Sequence, residues 1–339
     1  MDLFVSGVVF LDIVFTGLPR LPDPGEEAWA PGMGSSPGGI ANLAVAASRL
    51  GLDTGLGAAF STDVYGEFCC RTLGAQEGID LSASRRFDDW HSPVTVSLAY
   101  DRDRSMITHG HPTPVQPDGL VGELPAARAA FGSVTTERQP WVRHAKDAGT
   151  LVFADVGWDA SAEWSAQALD VLDDCHAFLP NAVEAMHYTR SASPREALSR
   201  LADRVPLAVV TCGSDGALAI DADTGAVVSA RAVPVDALDP TGAGDVFTAG
   251  FIAATLWELP LHQRLAFANL VAALSVRHFG GSLSAPGWGD IADWWRAVRL
   301  QDTDDLAAAY GFLDDLIPHG EIRLARRATA TITQLSDAA

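Results

Sequence analysis

Lysine is almost absent from this sequence: in 339 residues the only one is Lys146. A Walker-type phosphate loop, which needs Gly-Lys-Ser/Thr, is therefore excluded, as is any scheme that calls for two lysines. Lys146 stands in Arg-His-Ala-Lys-Asp-Ala-Gly, which reads as the end of a surface helix. Basic charge of any kind is scarce, with 23 Lys and Arg against 43 Asp and Glu, for a formal net charge of −20. A surface that acidic repels nucleic acid and anionic lipid, so neither nucleic acid nor membrane is expected as a partner. Backbone amides can still bind an anion inside a negative protein, so a phosphate-bearing substrate stays open. Cysteine is sparse too. Cys69 and Cys70 are adjacent, and neither they nor Cys175 and Cys212 have zinc spacing, which points to reduced thiols and a cytoplasmic location. No long apolar run is present: residues 1–17 are interrupted by Asp2 and Asp12, lack a basic leader, and read as a first buried strand.

What the sequence does have is the composition of a globular enzyme, 48% hydrophobic and 19% charged, long enough for one large α/β domain or two smaller ones. From about residue 138 helical and strand patterns alternate. Helices are predicted at 141–148, 164–174, 194–203, 246–257 and 261–278, and strands at 150–154, 177–179, 207–211 and 216–220. That alternation implies a mostly parallel sheet with helices on both faces. Upstream, strands are predicted at 3–10 and 54–60 and helices at 40–50 and 65–76. Two β-rich stretches, 13–37 and 86–112, break the rhythm and predict a small accessory sheet, the second through a hairpin turning at 101–103. The tail, with Trp294, Trp295 and an acidic run at 302–305, reads as appended helices.

Chemistry concentrates in Asp239-Pro240-Thr241-Gly242-Ala243-Gly244-Asp245, which precedes an apolar helix pattern. Gly242 and Gly244 leave no side chain between their amides and a ligand, and the helix start adds a positive dipole end, which together suit an anion. Asp245 falls on the first helical turn, where a carboxylate is electrostatically favoured and kept ionised. An ionised carboxylate beside an anion hole is what phosphoryl transfer to an alcohol requires. A plain capped helix start would show the same residues, and spacing alone does not separate the two readings. Far upstream, Gly38-Gly39 permits close backbone approach to a polyol, and Asn42 offers a donor and an acceptor near a helix start. A Gly-Gly turn leading into an Ala-rich helix is the other origin of that pattern.

Both segments resemble a known family. Asp-Pro-Thr-Gly-Ala-Gly-Asp-Val-Phe-Thr-Ala-Gly-Phe, 239–251, resembles the C-terminal signature of the ribokinase-like (PfkB) carbohydrate kinases, with Pro240 where that family usually has Thr. Pro37-Gly38-Gly39-Ile40-Ala41-Asn42 and the residues to Gly51 resemble its N-terminal signature, and the likeness extends over about 3–290. The resemblance implies an α/β, three-layer ribokinase-like fold: a mostly parallel central sheet, helices on both faces, and a small β lid. The kinase domain would occupy 1–300, with lid segments at about 13–37 and 86–112, and a C-terminal helical extension 301–339.

The resemblance also implies ATP-dependent phosphorylation of a primary hydroxyl on a sugar or sugar-like acceptor. Asp245 would be the base, and Gly242, Ala243 and Gly244 would supply the anion-hole amides. Asp12, at the end of the first strand, would orient the acceptor with Gly38, Gly39 and Asn42. His111 is a further candidate substrate contact, although a lone surface histidine is the commoner outcome. Asn181 and Glu184 match an Asn-x-x-Glu element that organises magnesium and phosphate, Glu184 acting through water; a capping box accounts for the same pair. Thr211, Gly213, Gly216 and Asn269 would line the nucleotide site, and Asp239 would hold a monovalent cation, potassium. Trp158 is placed to stack on a sugar or base, or simply to pack. A lid-mediated homodimer is a further expectation. The rivals are a nucleoside kinase of the same fold and a catalytically silent sugar- or nucleotide-binding regulator. A dinucleotide dehydrogenase fails because no Gly-x-Gly-x-x-Gly follows the first strand.

Overall fold

In a computed structural model the chain is described throughout except at 101–102, 116–118, 120, 122–124, 134–138, 157–162, 301–303, 321–323 and 329–339. Trp158 lies outside the described residues. The strand expected at 3–10 is two strands. β1 (Leu3–Ser6) belongs to the central sheet, and β2 (Val9–Leu18) crosses to the lid after a break at Gly7-Val8. The chain continues through β3 (Gly32–Gly39), α1 (Ala41–Arg49), β4 (Thr54–Gly57), β5 (Ala59–Ser61) and α2 (Val64–Cys70). Then come β6 (Arg85–Phe87), β7 (Val94–Tyr100), β8 (Asp103–His109), β9 (Ala129–Ser133), α3 (Pro140–Asp147), β10 (Leu151–Asp155) and β11 (Ala177–Phe178). The αβ rhythm resumes with α4 (Ala182–Thr189), α5 (Pro194–Ala202), β12 (Leu207–Thr211), β13 (Ala217–Asp221) and β14 (Ala226–Ala230). It closes on α6 (Ala243–Leu256), α7 (Leu261–Ser275), α8 (Trp288–Leu300), α9 (Asp304–Tyr310) and α10 (Leu313–Leu316).

The central sheet runs β14-β13-β12-β11-β10-β9-β1-β4, parallel from β4 to β12 and antiparallel at β13 and β14. Its two faces carry two cores, as the period-two geometry of strands requires. Leu3 and Val5 face α1, α6 and α7, whereas Phe4 between them faces α3, α4 and α5. Phe153 and Phe178, on neighbouring strands, divide the same way. Each such fully buried phenyl stabilises the fold by about 1.5–3 kcal/mol. The helix expected at 65–76 is α-helical only to Cys70 and then widens into a π-helical turn, Arg71–Gln76. That expected at 164–174 is a 3₁₀ helix, Ala166–Asp174.

A second sheet, β3-β2-β7-β8, forms the lid. Its register sets Asp12 opposite Ser36 and Thr95, and Val14 opposite Gly34 and Ser97. These residues share one face of the sheet, and Asp12, Ser36, Thr95 and Ser97 are buried there. Asp12 therefore sits in mid-strand on the lid, not at the end of a central strand as the sequence had implied; β1 is too short to reach it. Beyond residue 300, Tyr310 and Leu313 fold back into the core, and the Tyr310 hydroxyl donates to the Ala266 carbonyl (3.2 Å). Helix ends at Leu316, and residues 324–328 run irregularly against the main body.

Candidate functional site

The loop before α6 turns on Gly242, whose φ of +75° favours glycine. A Cβ there would also stand 3.1 Å from the Asn42 side chain, so the loop and α1 meet closely. The Ala243 amide donates to the Pro240 carbonyl (3.2 Å), so one of the three expected anion-hole donors has an internal partner. Gly244 is exposed with open space over its Cα, and the first-turn amides of a helix lack intrahelical acceptors.

Asp245 lies on that first turn and accepts a hydrogen bond from Asn42 Nδ2 (2.8 Å), across 203 residues of chain. Two sequence signatures thus meet at one carboxylate. Burial pushes the Asp245 carboxyl up to about 6, against the pull of the Asn42 amide. The helix start favours the ionised form as expected; desolvation works against it, and the group remains mostly ionised at pH 7. Asn42 itself is buried, and its Oδ1 has no hydrogen-bond partner among the described residues.

Asp12 stands beside them. A Cβ on Gly38 would overlap the Asp12 carboxylate, and Gly281 lies between Asp12 Oδ2 and Asn42 Oδ1. Burial pushes Asp12 up to about 7, with Asp239 and Asp245 adding to the rise and the Thr95 hydroxyl opposing it. Asp239 is fully engaged: Oδ1 accepts from the Thr241 amide (2.9 Å) and hydroxyl (2.6 Å), and Oδ2 from the Gly280 amide (3.3 Å). It ties the 239–245 loop to the Gly280-Gly281 turn.

On the other side, Asn181 and Glu184 form the capping box of α4, with reciprocal bonds of 3.0 Å. Burial raises Glu184 above the usual carboxylate range, and the charge of Asp245 adds to the rise. Asp155, at the end of β10, is held well above that range by burial first and then by Glu184 and Asp245. The sequence reading passed over Asp155, although a carboxylate at the C-terminal end of a parallel strand is a position where ligands gather. Two neighbouring cavities, of ≈490 and ≈460 Å³, share Thr211 and Gly213. The first is walled by Gly216, Val233, Ala243, Gly244, Phe247, Asn269 and Ala273, and the second by Asn181 and Cys212. The Asn269 amide is turned to the carbonyls of Ala230 (3.0 Å) and Arg231 (3.1 Å).

The structure therefore gathers Asp12, Gly38, Asn42, Asp239 and the 242–245 loop on one side, and Asn181, Glu184, Thr211, Gly213, Gly216 and Asn269 on the other. Gly39 turns the chain from β3 into α1 with a φ of +64°. His111 is exposed and packs edge-on against His91 and His109, 5.7 and 5.2 Å between ring centroids. His109 pairs with Val94 on the lid face opposite that of Asp12, so this cluster is not part of the gathered group. Among the described residues no cluster of three or more His, Cys, Asp or Glu is arranged to hold a metal, and no helix is long and apolar enough to cross a membrane.

Comparison with known proteins adds to this geometry. Residues 135–288 match the model of the pfkB family carbohydrate kinases. The chain is 27% identical over 298 residues to a nucleoside kinase of Methanothermobacter thermautotrophicus, covering 85% of this chain and 94% of that one. It is 29% identical over 283 residues to an ATP-dependent ribose-1-phosphate kinase of Halopiger xanaduensis, covering 79% and 89%. The crystal structure of a putative ribokinase from Agrobacterium tumefaciens superposes with a TM-score of 0.75 at 20% identity, covering 89% of this chain and 99% of that one.

Proposed function

We propose that this chain is a carbohydrate kinase of the pfkB family and transfers the γ-phosphoryl of ATP to a primary hydroxyl of a sugar or sugar-like acceptor. The observation that carries the reading is the Asn42–Asp245 hydrogen bond, which puts a base-competent carboxylate at the mouth of the glycine loop and beside Asp12. In this reading Asp12 and Asn42 Oδ1 accept hydrogen bonds from acceptor hydroxyls, and the backbone at Gly38 and Gly39 gives the acceptor a close approach. Asp245 accepts the proton of the attacking hydroxyl. The hydroxyl oxygen forms its bond to the γ-phosphorus as the bond from phosphorus to the β–γ bridging oxygen breaks, and ADP leaves with that oxygen. The amides of Gly242 and Gly244 face the charge that gathers on the moving phosphoryl, while that of Ala243 is held by the Pro240 carbonyl.

A carboxyl near pH 6 suits this task, since it is ionised at neutral pH yet basic enough to take a proton. The larger cavity receives the nucleotide: its apolar walls suit a base, and Ala243 and Gly244 of the glycine loop line it. Magnesium fits the donor set at half-buried Asp155 and buried Glu184: Glu184 raises Asp155, Asp245 raises both, and a cation held through water would relieve them. When bound it would neutralise phosphate charge. Asp155 and Glu184 would hold it through water, and Asn181 fixes Glu184 through the capping box.

The test is coupled ADP release over a panel of sugars and nucleosides, wild type against Asp245→Asn. Turnover of sugars that is lost in the variant supports the reading. Turnover of nucleosides alone would favour the acceptor class of the Methanothermobacter relative, and near-native turnover by the variant would remove Asp245 as base.

A further inference from the structure

Residues 324–328 take no part in the chemistry above, yet they run along the acceptor side of the site and are held there at several points. Arg49 Nη2 donates to the Arg326 carbonyl (2.8 Å) and Arg327 Nη1 to the Ser284 carbonyl (2.9 Å). The Arg327 guanidinium pairs with Asp290, which also accepts from the Ala325 amide (3.4 Å). Arg49 is itself fixed by Glu77 (2.9 Å), both side chains being 7% exposed. Two arginines thus hold the segment, Arg49 while also donating to the Leu283 and Ala285 carbonyls. The anchors join it to the Gly281–Ser284 turn, whose first residue lies against Asp12 and Asn42.

The segment ends, within the described residues, at Ala328, which is 1% exposed. A Cβ on Gly34 of β3 would overlap the Ala328 carbonyl oxygen, and one on Gly280 would overlap its methyl group. No positive φ demands glycine at 34, so the room it leaves for Ala328, and for the Phe279 ring, accounts for it. Gly34 belongs to the Asp12 face of the lid, in the cross-strand row of Val14 and Ser97. The Ser36 and Ser97 hydroxyls on that face are buried without a hydrogen-bond partner among the described residues. Such groups are costly to leave unpaired, and a polyhydroxylated ligand is a natural partner for them.

We propose that residues 324–328 form a wall of the acceptor pocket and set the upper size of the acceptor, the Arg327–Asp290 pair and the Arg49–Arg326 contact being its latch. This rests on the reading of Asp12, Gly38 and Asn42 as the acceptor side. The wall stands between the β3 strand of the lid and the Gly280-Gly281 turn, so a compact sugar fits beside it and a bulkier one requires it to move. Its anchors are polar and local, so single substitutions release it while the core is left in place.

The test uses the full chain carrying Ser97→Cys, with N-ethylmaleimide labelling of that peptide followed by mass spectrometry. Two independent changes should release the wall: Arg327→Ala, which removes the latch, and Gly34→Ala, which places a methyl where the Ala328 carbonyl lies. Each should speed labelling about tenfold over the Ser97→Cys background, and Arg327→Lys should slow it again. Labelling at the background rate in both variants would overturn the wall, and either variant suffices if the other fails to fold. With D-ribose, D-fructose and adenosine as acceptors, release should raise kcat/KM for adenosine relative to D-ribose at least about fivefold while KM for ATP is unchanged. Faster labelling with an unchanged acceptor ratio would overturn the size-setting role. Asp12→Asn separates this proposal from the reading beneath it. If that variant left kcat/KM for all three acceptors at the wild-type value, the acceptor reading would fail, while the labelling rates would still decide whether the wall exists.

Discussion

On the proposed acceptor side of the Asp245 loop, buried and half-buried polar groups are crowded and under-partnered: Asp12 and Asp245 sit with raised pKa values, and Asn42 Oδ1, Ser36 Oγ and Ser97 Oγ lack partners among the described residues. On the proposed nucleotide side the cavity is largely apolar, and the Asn269 amide that lines it already donates to two backbone carbonyls. The difference teaches where each side draws its specificity. An apolar cavity accepts a flat base through shape and burial. A set of unpaired buried acceptors and donors is unfavourable until a ligand supplies the missing hydrogen bonds, which discriminates strongly against molecules that lack them.

The largest effect should follow from Asp245→Asn. Loss of a positioned base typically costs 10²–10⁴-fold, so kcat is expected to fall by about 10³ while the affinity for a fluorescent ATP analogue, read by titration, stays within about twofold. A parallel fall in nucleotide affinity would mean that Asp245 serves both sides, and the comparison would break.

The pH profile comes next. Asp245 must be ionised to accept a proton, so kcat should be flat above neutrality and fall about tenfold per pH unit below about 6. Asn42→Ala removes the amide that holds this carboxyl down, and the acid limb should then move to higher pH. An acid limb that stayed in place would show that the hydrogen bond only positions Asp245.

Which parts of this were legible in the sequence follows from range of interaction. The αβ rhythm after residue 138, α1, and the glycine loop are written in local periodicity and turn residues, and the matching elements are in the fold. The split of 3–10 into β1 and β2 is not written locally, because the apolar run continues through it. The strand changes sheets because Gly7 must pass against Ile40, a contact made by tertiary packing. The strand β14 was missed because its alternation is short and half-exposed at the sheet edge. Asp155 carried only a positional signal at a strand end, and the placement of Ala328 between Gly34 and Gly280 carried none. Such a contact joins positions nearly three hundred residues apart and leaves no periodic trace.

Asp12→Asn tests the tension on the acceptor side directly. A carboxyl pushed up to about 7 in the folded state binds its proton more tightly there than in the unfolded chain. The stability this contributes is present at low pH and is lost as pH rises through about 7. The Asn variant lacks that penalty, so it should exceed wild type by about 2–4 kcal/mol at pH 8 in urea melts, and the gain should vanish near pH 4. Its KM for the acceptor should rise about tenfold at the same time, a gain in stability set against a loss in binding.

The smallest effect is expected on the nucleotide side, from Ala273→Phe. Ala273 lies on α7 with 8% exposure and faces the ≈490 Å³ cavity shared with Phe247 and Val233. A phenyl ring there takes space from the proposed base site, whose lining holds no carboxylate, and overpacking costs stability about 1–3 kcal/mol. KM for ATP should rise about three- to tenfold, with kcat and the acceptor KM within twofold of wild type. Because this cavity selects by shape, its response to added bulk should be graded. The acceptor side, where unpaired hydrogen-bonding groups decide, should respond to a single lost oxygen or nitrogen. An acceptor KM that rose in step with that for ATP would show that the two sides close as one, and the contrast between them would then be one of composition and not of independent function.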